Sequence, residues 1–494
     1  MSLKAELISA SSPEASSGNE VSTFGIADRE LTGGVVAILP RGEAIRNFIY
    51  SGALDDVAGQ LPVSLLTVIP DEEYLQMIEG RFDSLHELKP ATESLPVRIL
   101  REQLDVTHGR YLWSEAARER WRIRDHEAQT LPRKIRRRAK KLMAEALANR
   151  AGLELLMQLE RRASRWFSNN ANDLDLLRRL KPSLVFNSSH SHSPNAVQTV
   201  QAAQWLGIPT ATFLFSWDNL TSQGRIIPLY DYYLAWNEDI RQQLLSIYPS
   251  IRPEQVFVTG TPQFDFHFRP ELYWSREEFC VRVGADPARP IVLYSTGMEN
   301  HMPHEPLIIE GINNMLKEMS AFGSPQLLVR LYPKDRTPQR FDELRRRNPD
   351  ILFPEIPWNR NFYTPKFEDA PLLTNTLRHC EVGINVASTV SLELCMFDKP
   401  VINVGYNPPV DIHPKDYALY YSFDHYKPVV ESGAVRVAWS EAEMKDLLVK
   451  ALIEPATDSE KRRRFIKRMF GETLDGKVSR RIAATLVNLA NKNK

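Results

Sequence analysis

Short apolar runs alternate with helix-length segments along most of this chain, and this alternation constrains the fold more than any other feature. The runs GVVAILP (34–40), PVSLLTVIP (62–70) and SLVFN (183–187) are almost wholly apolar, which is typical of strands buried on both faces. Further short strands are predicted at TATFLF (210–215), YYLAW (232–236) and VFVTG (256–260). Between the first two runs, AIRNFIYSGALDDVAG repeats its apolar residues at helical spacing. The sequence therefore predicts parallel sheets with helices on both faces.

The 494 residues exceed one ordinary domain of roughly 150 residues, so we expect two. A second series of apolar runs supports this: PIVLYSTG (290–297), QLLVRLYP (326–333), ILFPEIP (351–357), EVGINV (381–386) and PVINVGY (400–406). We predict a flexible leader at 1–32, a first domain at 33–265 with a charged helical insertion at about 100–180, a linker at 266–289, a second domain at 290–455, and C-terminal helices at 456–494 that pack back toward the first domain.

Composition narrows the class of protein. Lys and Arg total 62, as do Asp and Glu, and 43% of residues are hydrophobic, which excludes a disordered chain and argues against a strongly basic nucleic-acid binder. No run of about 18 apolar residues occurs, and the N-terminus lacks the apolar middle of a secretory signal. Three scattered cysteines suit a reducing compartment. We therefore expect a cytoplasmic protein.

The pattern that indicates chemistry most strongly is LRHCEVGINVASTVSLELCMFDKPVINVGY, residues 377–406. A predicted strand ends near Asn385 and a helix begins at Ser388 or Thr389, so free backbone amides and hydroxyls converge where a phosphate fits. Glu393 follows about one helical turn later and is placed to accept both hydroxyls of a ribose. The alternative is that Ser388 simply caps the helix and Glu393 is solvated, and the spacing alone does not decide between the two.

Several motifs together resemble the GT-B glycosyltransferase superfamily: the ST-x-x-x-E helix followed by KPVINVGY, the segment VTGTPQFD (258–265), and the terminal helix DGKVSRRIA (475–483). Within it, they are similar to the branch of bacterial surface-polysaccharide and CDP-glycerol-type transferases. The resemblance covers Val256 to the C-terminus and is mainly topological before that. It implies two doubly wound Rossmann-like domains facing a cleft, with the donor bound by the second domain and the acceptor by the first.

The resemblance also implies roles for individual residues. Ser388 and Thr389 would contact donor phosphates and Glu393 the ribose. The turn Ser295, Thr296 and Gly297 matches the loop that faces the phosphates, and its small residues allow close backbone approach; the alternative is an ordinary strand-to-helix turn.

A cationic segment follows the next predicted strand. Arg330 and Lys334 bring positive charge to its end, where they could neutralise a diphosphate leaving group. Tyr332 stands where relatives carry a histidine, so no role of that histidine is transferred. The alternative for both cations is surface pairing with Asp335.

The first domain supplies candidates for a catalytic base and for sugar recognition. Polar residues follow three predicted strands, and we take Glu43, His190, His192 and Asp218 as catalytic candidates and Arg41, Trp217 and Asn219 as acceptor or sugar contacts. The two histidines and Asp218 also have alternatives. The His-x-His pair could bind zinc but lacks a third ligand, His190 could cap a turn, and Asp218 could order its loop as an Asx-turn.

Two basic runs, RKIRRRAKK (133–141) and KRRRFIKR (461–468), could rest against anionic lipid headgroups at the inner face of the plasma membrane. The alternative is a solvated charged helix that pairs with nearby glutamates.

Together these features predict a metal-independent GT-B glycosyltransferase, a hexosyltransferase or related enzyme. It would move a sugar from a nucleotide-sugar co-substrate to a glycan or lipid-linked glycan in cell-surface polysaccharide synthesis, with no cofactor and no nucleic-acid partner. Homo-oligomerisation stays open. The alternatives are a polyol-phosphate transferase, a nucleotide-sugar 2-epimerase and a non-catalytic GT-B-shaped scaffold. The epimerase would need several carboxylates facing the cleft from the second domain, and the sequence around Ser295 and Ser388 offers none.

Overall fold

A computed structural model describes residues 33–68, 72–89, 91, 93–191, 194–359, 363–410 and 416–492. The predicted leader, residues 1–32, lies outside the described residues. Two parallel sheets, one in each half of the chain, carry the architecture. This matches the predicted pair of Rossmann-like domains.

The first sheet has seven parallel strands in the order β3-β2-β1-β4-β5-β6-β7. The strands are β1 (Val35–Leu39), β2 (Val63–Thr67), β3 (Ser84–Glu87), β4 (Leu184–Asn187), β5 (Thr210–Phe213), β6 (Tyr232–Ala235) and β7 (Val256–Val258). The order reverses between β1 and β4, so the loops that follow these two strands diverge and leave a crevice at the carboxyl edge.

The second sheet has five parallel strands in the order β14-β13-β12-β8-β9. The strands are β8 (Ile291–Ser295), β9 (Gln326–Arg330), β12 (Val382–Asn385), β13 (Val401–Val404) and β14 (Arg436–Ala438). A separate small hairpin joins β10 (Trp358–Asn359) to β11 (Thr364–Pro365). Here the order reverses between β8 and β12, which makes the crevice beyond these strands the expected ligand position.

Helices cover both sheets. In the first half they are α1 (Glu43–Ile45), α2 (Ala53–Ala58), α3 (Glu72–Ile78), α4 (Leu95–Leu112), α5 (Glu115–Glu127), α6 (Leu131–Leu147), α7 (Arg150–Phe167), α8 (Ala171–Leu180), α9 (Pro194–Trp205), α10 (Asn219–Ser222) and α11 (Glu238–Ile247). In the second half they are α12 (Arg276–Val283), α13 (Glu305–Lys317), α14 (Asp342–Arg347), α15 (Asp369–His379), α16 (Val390–Met396), α17 (Lys427–Glu431), α18 (Glu441–Ile453), α19 (Ser459–Phe470) and α20 (Val478–Asn491).

The charged insertion is a helical layer between β3 and β4, built from α4 to α8. Helix α4 is its centre, because both α6 and α7 pack against it. Leu104 of α4 is buried with Leu153 and Leu156 of α7. Within the described ranges, no helix is long and apolar enough to cross a membrane.

The segment between the sheets is folded rather than extended. A 3₁₀ turn spans Pro262–Phe268 and helix α12 follows it. Asp265 accepts the backbone amides of Val478 (3.1 Å) and Ser479 (2.8 Å), which are donors at the start of α20. Helix α20 also packs on α2, so the C-terminal end of the chain contacts the first domain.

One predicted strand is wrong and four strands were missed. Among the described residues 351–357, Leu352 alone makes a β-bridge, to Leu328, because Pro354 and Pro357 remove backbone donors from that run. The missed strands are β3, β10, β11 and β14, which are short and carry polar residues.

Candidate functional site

A cavity of about 500 Å³ lies between the two sheets and is lined by both halves of the chain. The second half contributes Ser295, Thr296 and Gly297 after β8, and Ser388 and Thr389 after β12. These are the loops on either side of the order reversal in the second sheet. The cavity therefore occupies the position where doubly wound sheets bind their ligands.

The first half of the chain supplies the facing wall. Trp217 and Asp218 follow β5 and line the cavity, as do Glu119 and Arg120 of helix α5. Glu119 and Asp218 are the acidic residues on the described cavity wall, and both belong to the first half. Predicted residues from both halves of the chain thus line one cavity, while Arg41, Glu43, Arg330 and Lys334 lie outside its lining.

The turn after β8 is held by side chains that sequence reasoning missed. The Thr296 hydroxyl accepts the backbone amide of Tyr332 at 2.8 Å. The Gly297 amide donates to both carboxylate oxygens of Glu305, at 3.1 Å each. A Cβ at Gly297 would lie 2.5 Å from the sulfur of Met302, so a larger residue there would have to displace the Met302 side chain. In this structure the Gly297 amide is therefore bonded to Glu305 and stabilises the turn.

Glu305 is fully buried at the start of α13. It accepts hydrogen bonds from the Tyr294 hydroxyl (3.2 Å) and from Arg340 (3.1 Å). Burial raises the pKa of Glu305 to about 7, against the opposing effects of Arg340 and the Gly297 amide. The sequence signal was an acidic residue in the first turn of a helix, which is too common to single it out.

The turn after β12 is also internally bonded. Asn385 accepts the Ser388 amide at 3.1 Å, and the Ser388 hydroxyl accepts the Val390 amide at 3.3 Å. The Ser388 hydroxyl thus makes the local bond of the capping alternative, while the residue still lines the cavity. The Thr389 hydroxyl instead accepts Trp217 Nε1 at 3.2 Å, which joins the two halves of the chain.

Glu393, the predicted ribose contact, is buried and lies outside the residues that line the cavity. Its carboxylate is 3.1 Å from His267 Nε2, and His267 Nδ1 is 3.0 Å from the Thr374 hydroxyl. The solvated alternative for Glu393 is wrong, because the side chain is held by an imidazole from the segment between the sheets. Its ribose role stays a prediction.

Arg41, Glu43 and Lys334 form a cluster that also joins the two halves. Arg41 donates to both oxygens of Glu43, at 2.9 and 2.6 Å, and Lys334 forms an ion pair with the same carboxylate. Burial lowers the pKa of Arg41 to about 10. Burial and the charge of Arg41 lower the pKa of Lys334 to about 7. The surface pairing of Lys334 with Asp335 does not form.

Arg330 is buried against Asp369, to which it donates at 2.6 Å. Its other terminal nitrogen, Nη1, is buried without a hydrogen-bond partner among the described residues. Asp335, the alternative partner from sequence, pairs with Arg340 instead, at 2.9 Å. Arg330 therefore brings a partly unsatisfied guanidinium to the interior beside the end of β9, not to the surface.

Asp218 carries its charge in a polar pocket at the cavity wall. Ser216 donates to one carboxylate oxygen and Ser222 to the other, the latter at 2.7 Å. Burial alone would raise the pKa of Asp218, but the charge of His425 when protonated and the two hydroxyls outweigh it, and the pKa falls below its usual range. Asp218 is therefore an ionised acceptor at neutral pH.

His425 lines the same cavity and was missed by sequence reasoning. Its Nδ1 is buried and has no hydrogen-bond partner among the described residues. Its ring packs edge-on against Trp217, with centroids 5.3 Å apart. Burial lowers the pKa of His425, although Asp218 opposes this, so the ring is neutral at pH 7. The sequence could not reveal it, because its charge partner belongs to the other domain.

The remaining candidates of the first domain lie away from the cavity wall. His190 Nδ1 is 3.3 Å from the Phe213 carbonyl oxygen, as a residue ordering a turn would be. His192 falls outside the described residues. Asn219 accepts the Ser216 amide at 3.0 Å and the Ser191 hydroxyl at 3.2 Å, so it orders the loop that carries Asp218. Across the described ranges, no cluster of three His, Cys, Asp or Glu side chains could hold a metal ion.

No protein-family model and no curated protein sequence matches this chain. Several solved structures are similar to this chain in fold. UDP-GlcNAc 2-epimerase from Neisseria meningitidis bound to UDP-GlcNAc is 12% identical, with a TM-score of 0.55 over 92% of this chain and 100% of its own. The UDP complex of S. aureus MnaA is 12% identical, with a TM-score of 0.52 over 92% and 96%. UDP-N-acetylglucosamine 2-epimerase from Rickettsia bellii is 11% identical, with a TM-score of 0.50 over 94% and 98%. At these identities the likeness concerns the fold, and it shows that this chain has two Rossmann-like domains in the GT-B arrangement.

Proposed function

We propose that this protein is a nucleotide-sugar enzyme that transfers the sugar to an acceptor hydroxyl. The observation that carries the proposal is the cavity itself. It lies at the order reversal of the second sheet and faces an ionised Asp218 and a neutral His425. A cavity of about 500 Å³ is large enough to hold most of a nucleotide sugar.

In this proposal the second domain holds the donor. The diphosphate would lie over the turns of Ser295–Gly297 and Ser388–Thr389. Arg330 at the end of β9 and Lys334 just after it lie outside the cavity lining and would supply positive charge from the neighbouring strand. Lys334 is paired with Glu43 in this structure, so the diphosphate would compete with that carboxylate for the ammonium group. The ligands bound in two of the similar solved structures are UDP-GlcNAc and UDP, which makes uridine nucleotides the first choice for testing.

His425 is the proposed general base and Asp218 its electrostatic partner. The neutral imidazole takes the proton of the acceptor hydroxyl while the acceptor oxygen bonds to the sugar C1. The bond from C1 to the phosphate oxygen breaks, and the nucleoside diphosphate leaves with the electron pair. The Asp218 carboxylate stabilises the imidazolium that forms. A positioned base is what inverting transfer requires, so we expect inversion at C1.

A 2-epimerase is the second candidate, because the similar solved structures are of that enzyme class. It needs acidic and basic groups placed around C2 of the sugar. The acidic residues on the described cavity wall, Glu119 and Asp218, both come from the first domain, and the second domain adds none there. This distribution supports transfer over epimerisation. The fold alone is also compatible with a polyol-phosphate transferase or a non-catalytic scaffold.

Proton NMR of UDP-GlcNAc incubated with the protein, with and without a panel of alkyl glycosides, separates these candidates. Transfer predicts UDP release that depends on the alkyl glycoside, with the product inverted at C1. Epimerisation would instead give UDP-ManNAc without any acceptor. His425→Gln and Asp218→Asn should each lower transfer by about 100-fold or more. The exposed controls His126→Gln and Asp56→Asn carry the same chemical changes and should leave it unchanged.

A further inference from the structure

Helix α6 of the insertion exposes a line of large apolar side chains. Leu131, Ile135 and Leu142 are 70%, 59% and 72% exposed. Their spacing, i, i+4 and i+11, places them on one side of the helix. The opposite side holds the buried Ala144, which packs with Val106 of α4 and with Trp121. The apolar line therefore points away from the body of the protein.

Helix α7 repeats the same arrangement. Leu155, Leu159 and Trp166 again follow the spacing i, i+4 and i+11, and they are 49%, 39% and 81% exposed. Leu153 and Leu156 form the buried side of this helix, against Leu104 of α4. Two consecutive, contacting helices thus each leave an apolar line unburied, and we call their exposed sides the insertion face.

The same two helices also carry positive charge. Part of the basic run is paired, because Arg136 and Lys140 bind Glu102 while Arg137 and Lys141 bind Asp125. The rest is not. On the described part of these two helices, seven exposed cations make no ion pair or side-chain hydrogen bond: Arg133, Lys134, Arg138, Arg150, Arg161, Arg162 and Arg165. The insertion face therefore combines exposed hydrocarbon with uncompensated positive charge.

We propose that the insertion face docks on the surface of a bilayer containing anionic lipids. Exposed aliphatic and tryptophan side chains suit the boundary between headgroups and acyl chains, and flanking Arg and Lys suit lipid phosphates. A second copy of this chain is a poor partner for the insertion face, because pairing two such faces would bring like charges together. The exposed apolar side chains argue against a nucleic acid as the partner, because binding to backbone phosphates relies on Lys and Arg and does not need exposed leucines.

The second basic run, in α19, lacks the exposed apolar line, although Lys467 and Arg468 are exposed and make no ion pair among the described residues. Arg462 is buried on Asp398 at 2.7 Å, and Arg463 and Arg464 lie 3.3 and 3.5 Å from Glu460. The large apolar residues Phe465, Met469 and Phe470 of this helix are buried. This run therefore carries exposed charge without exposed hydrocarbon, and it provides a matched control.

The position of the insertion face connects membrane docking to the cavity. Helix α5, which precedes α6 in the same insertion, contributes Glu119, Arg120 and Ile123 to the cavity wall. A bilayer on α6 and α7 would thus lie beside the acceptor side of the cavity, where a lipid-borne substrate could reach it. The docking itself is independent of the reaction and is tested without turnover.

Co-sedimentation with sucrose-loaded vesicles tests the proposal on the full chain. Wild type should bind vesicles of 30% phosphatidylglycerol in phosphatidylcholine at least tenfold more tightly than pure phosphatidylcholine. The triple variant Arg133→Gln, Lys134→Gln, Arg138→Gln should weaken that binding about 100-fold. The double variant Leu142→Ser, Trp166→Ser keeps the charge and should weaken it about tenfold or more. The control Arg463→Gln, Lys467→Gln, Arg468→Gln removes equal charge from α19 and should bind like wild type.

Three results would overturn the proposal. Wild type could fail to sediment with the anionic vesicles. The α19 control could lose as much binding as the α6 variant, which would indicate net charge rather than a docking face. Analytical ultracentrifugation could show a dimer that the Leu142→Ser, Trp166→Ser variant dissociates, which would make a second copy the occupant. All substituted side chains are exposed, so unchanged thermal melting should accompany each variant.

Discussion

Trp217 Nε1 donates a hydrogen bond of 3.2 Å to the hydroxyl of Thr389, and this bond crosses the cavity wall from one Rossmann-like domain to the other. Trp217 follows β5 of the first sheet and Thr389 begins the helix after β12 of the second. The bond therefore links the acceptor-side wall directly to the loop we assign to the donor phosphates.

Removing this bond should cost about 1 kcal/mol of unfolding free energy, as hydrogen bonds of this kind do. Trp217→Phe and Thr389→Val should each show that loss in urea unfolding, and the double variant should show no further loss, because both remove the same bond. Trp236→Phe is the control, since its Nε1 is buried without a partner among the described residues. Full additivity of the two changes would contradict the interaction.

Lys334 should make donor affinity depend on pH. Its pKa is lowered to about 7, so its ammonium is charged below that pH and neutral above it, while a sugar diphosphate does not titrate there. We expect affinity for the nucleotide sugar to fall about tenfold between pH 6 and 8.5. Lys334→Arg stays charged and should flatten the profile, as isothermal titration would show. A pH-independent wild type would remove Lys334 from the phosphate site.

Glu305 should make stability fall as pH rises. Its pKa is raised from 4.5 to about 7, so the folded state holds a proton that the unfolded state releases between these values. The contribution is fully present below pH 4.5 and lost as pH rises through 7, on the order of 3 kcal/mol. Thermal unfolding of wild type and Glu305→Gln between pH 5 and 8 measures it. The variant should lose this part of the slope, and an unchanged slope would contradict the assignment.

Glu393 should discriminate ribose from deoxyribose if it reaches the sugar of the donor. We expect wild type to bind UDP about tenfold more tightly than 2′-deoxy-UDP, a loss that one hydrogen bond to a charged group explains. Glu393→Gln should bind the two alike. His267→Gln is the companion variant, because it releases Glu393 from its 3.1 Å contact while leaving the carboxylate in place. Equal discrimination in wild type and Glu393→Gln would limit Glu393 to holding His267.

The sequence predicted secondary structure best where the signal lies within a short run of residues. Continuous apolar runs predicted β1, β2, β4, β5, β8, β9, β12 and β13, because a strand buried on both faces must be apolar throughout. It failed at 351–357, where apolar residues are interrupted by Pro354 and Pro357, and at β14, which contains Arg436.

The sequence predicted individual residues of the site but not the contacts between them. Turns after strands pointed to Ser295, Ser388 and Asp218, since carboxyl ends of parallel strands share one edge. What the sequence could not supply were the long-range partners. His425 meets Asp218, and His267 meets Glu393, only after the two domains come together.

The most direct test of the account is nucleotide binding at the cavity, measured as a thermal shift with UDP-, GDP-, CDP-, CMP- and dTDP-linked sugars. A ligand at about 100 times its Kd adds roughly 2.7 kcal/mol to stability, which should raise Tm by about 3 °C if the whole chain unfolds together and by about 5 °C if the binding domain unfolds alone. We predict such a shift for at least one donor, and its loss in a Gly297→Leu variant, whose side chain would meet Met302 and disturb the turn. If no donor raises Tm, or if the variant shifts as wild type does, the cavity is not a nucleotide-sugar site.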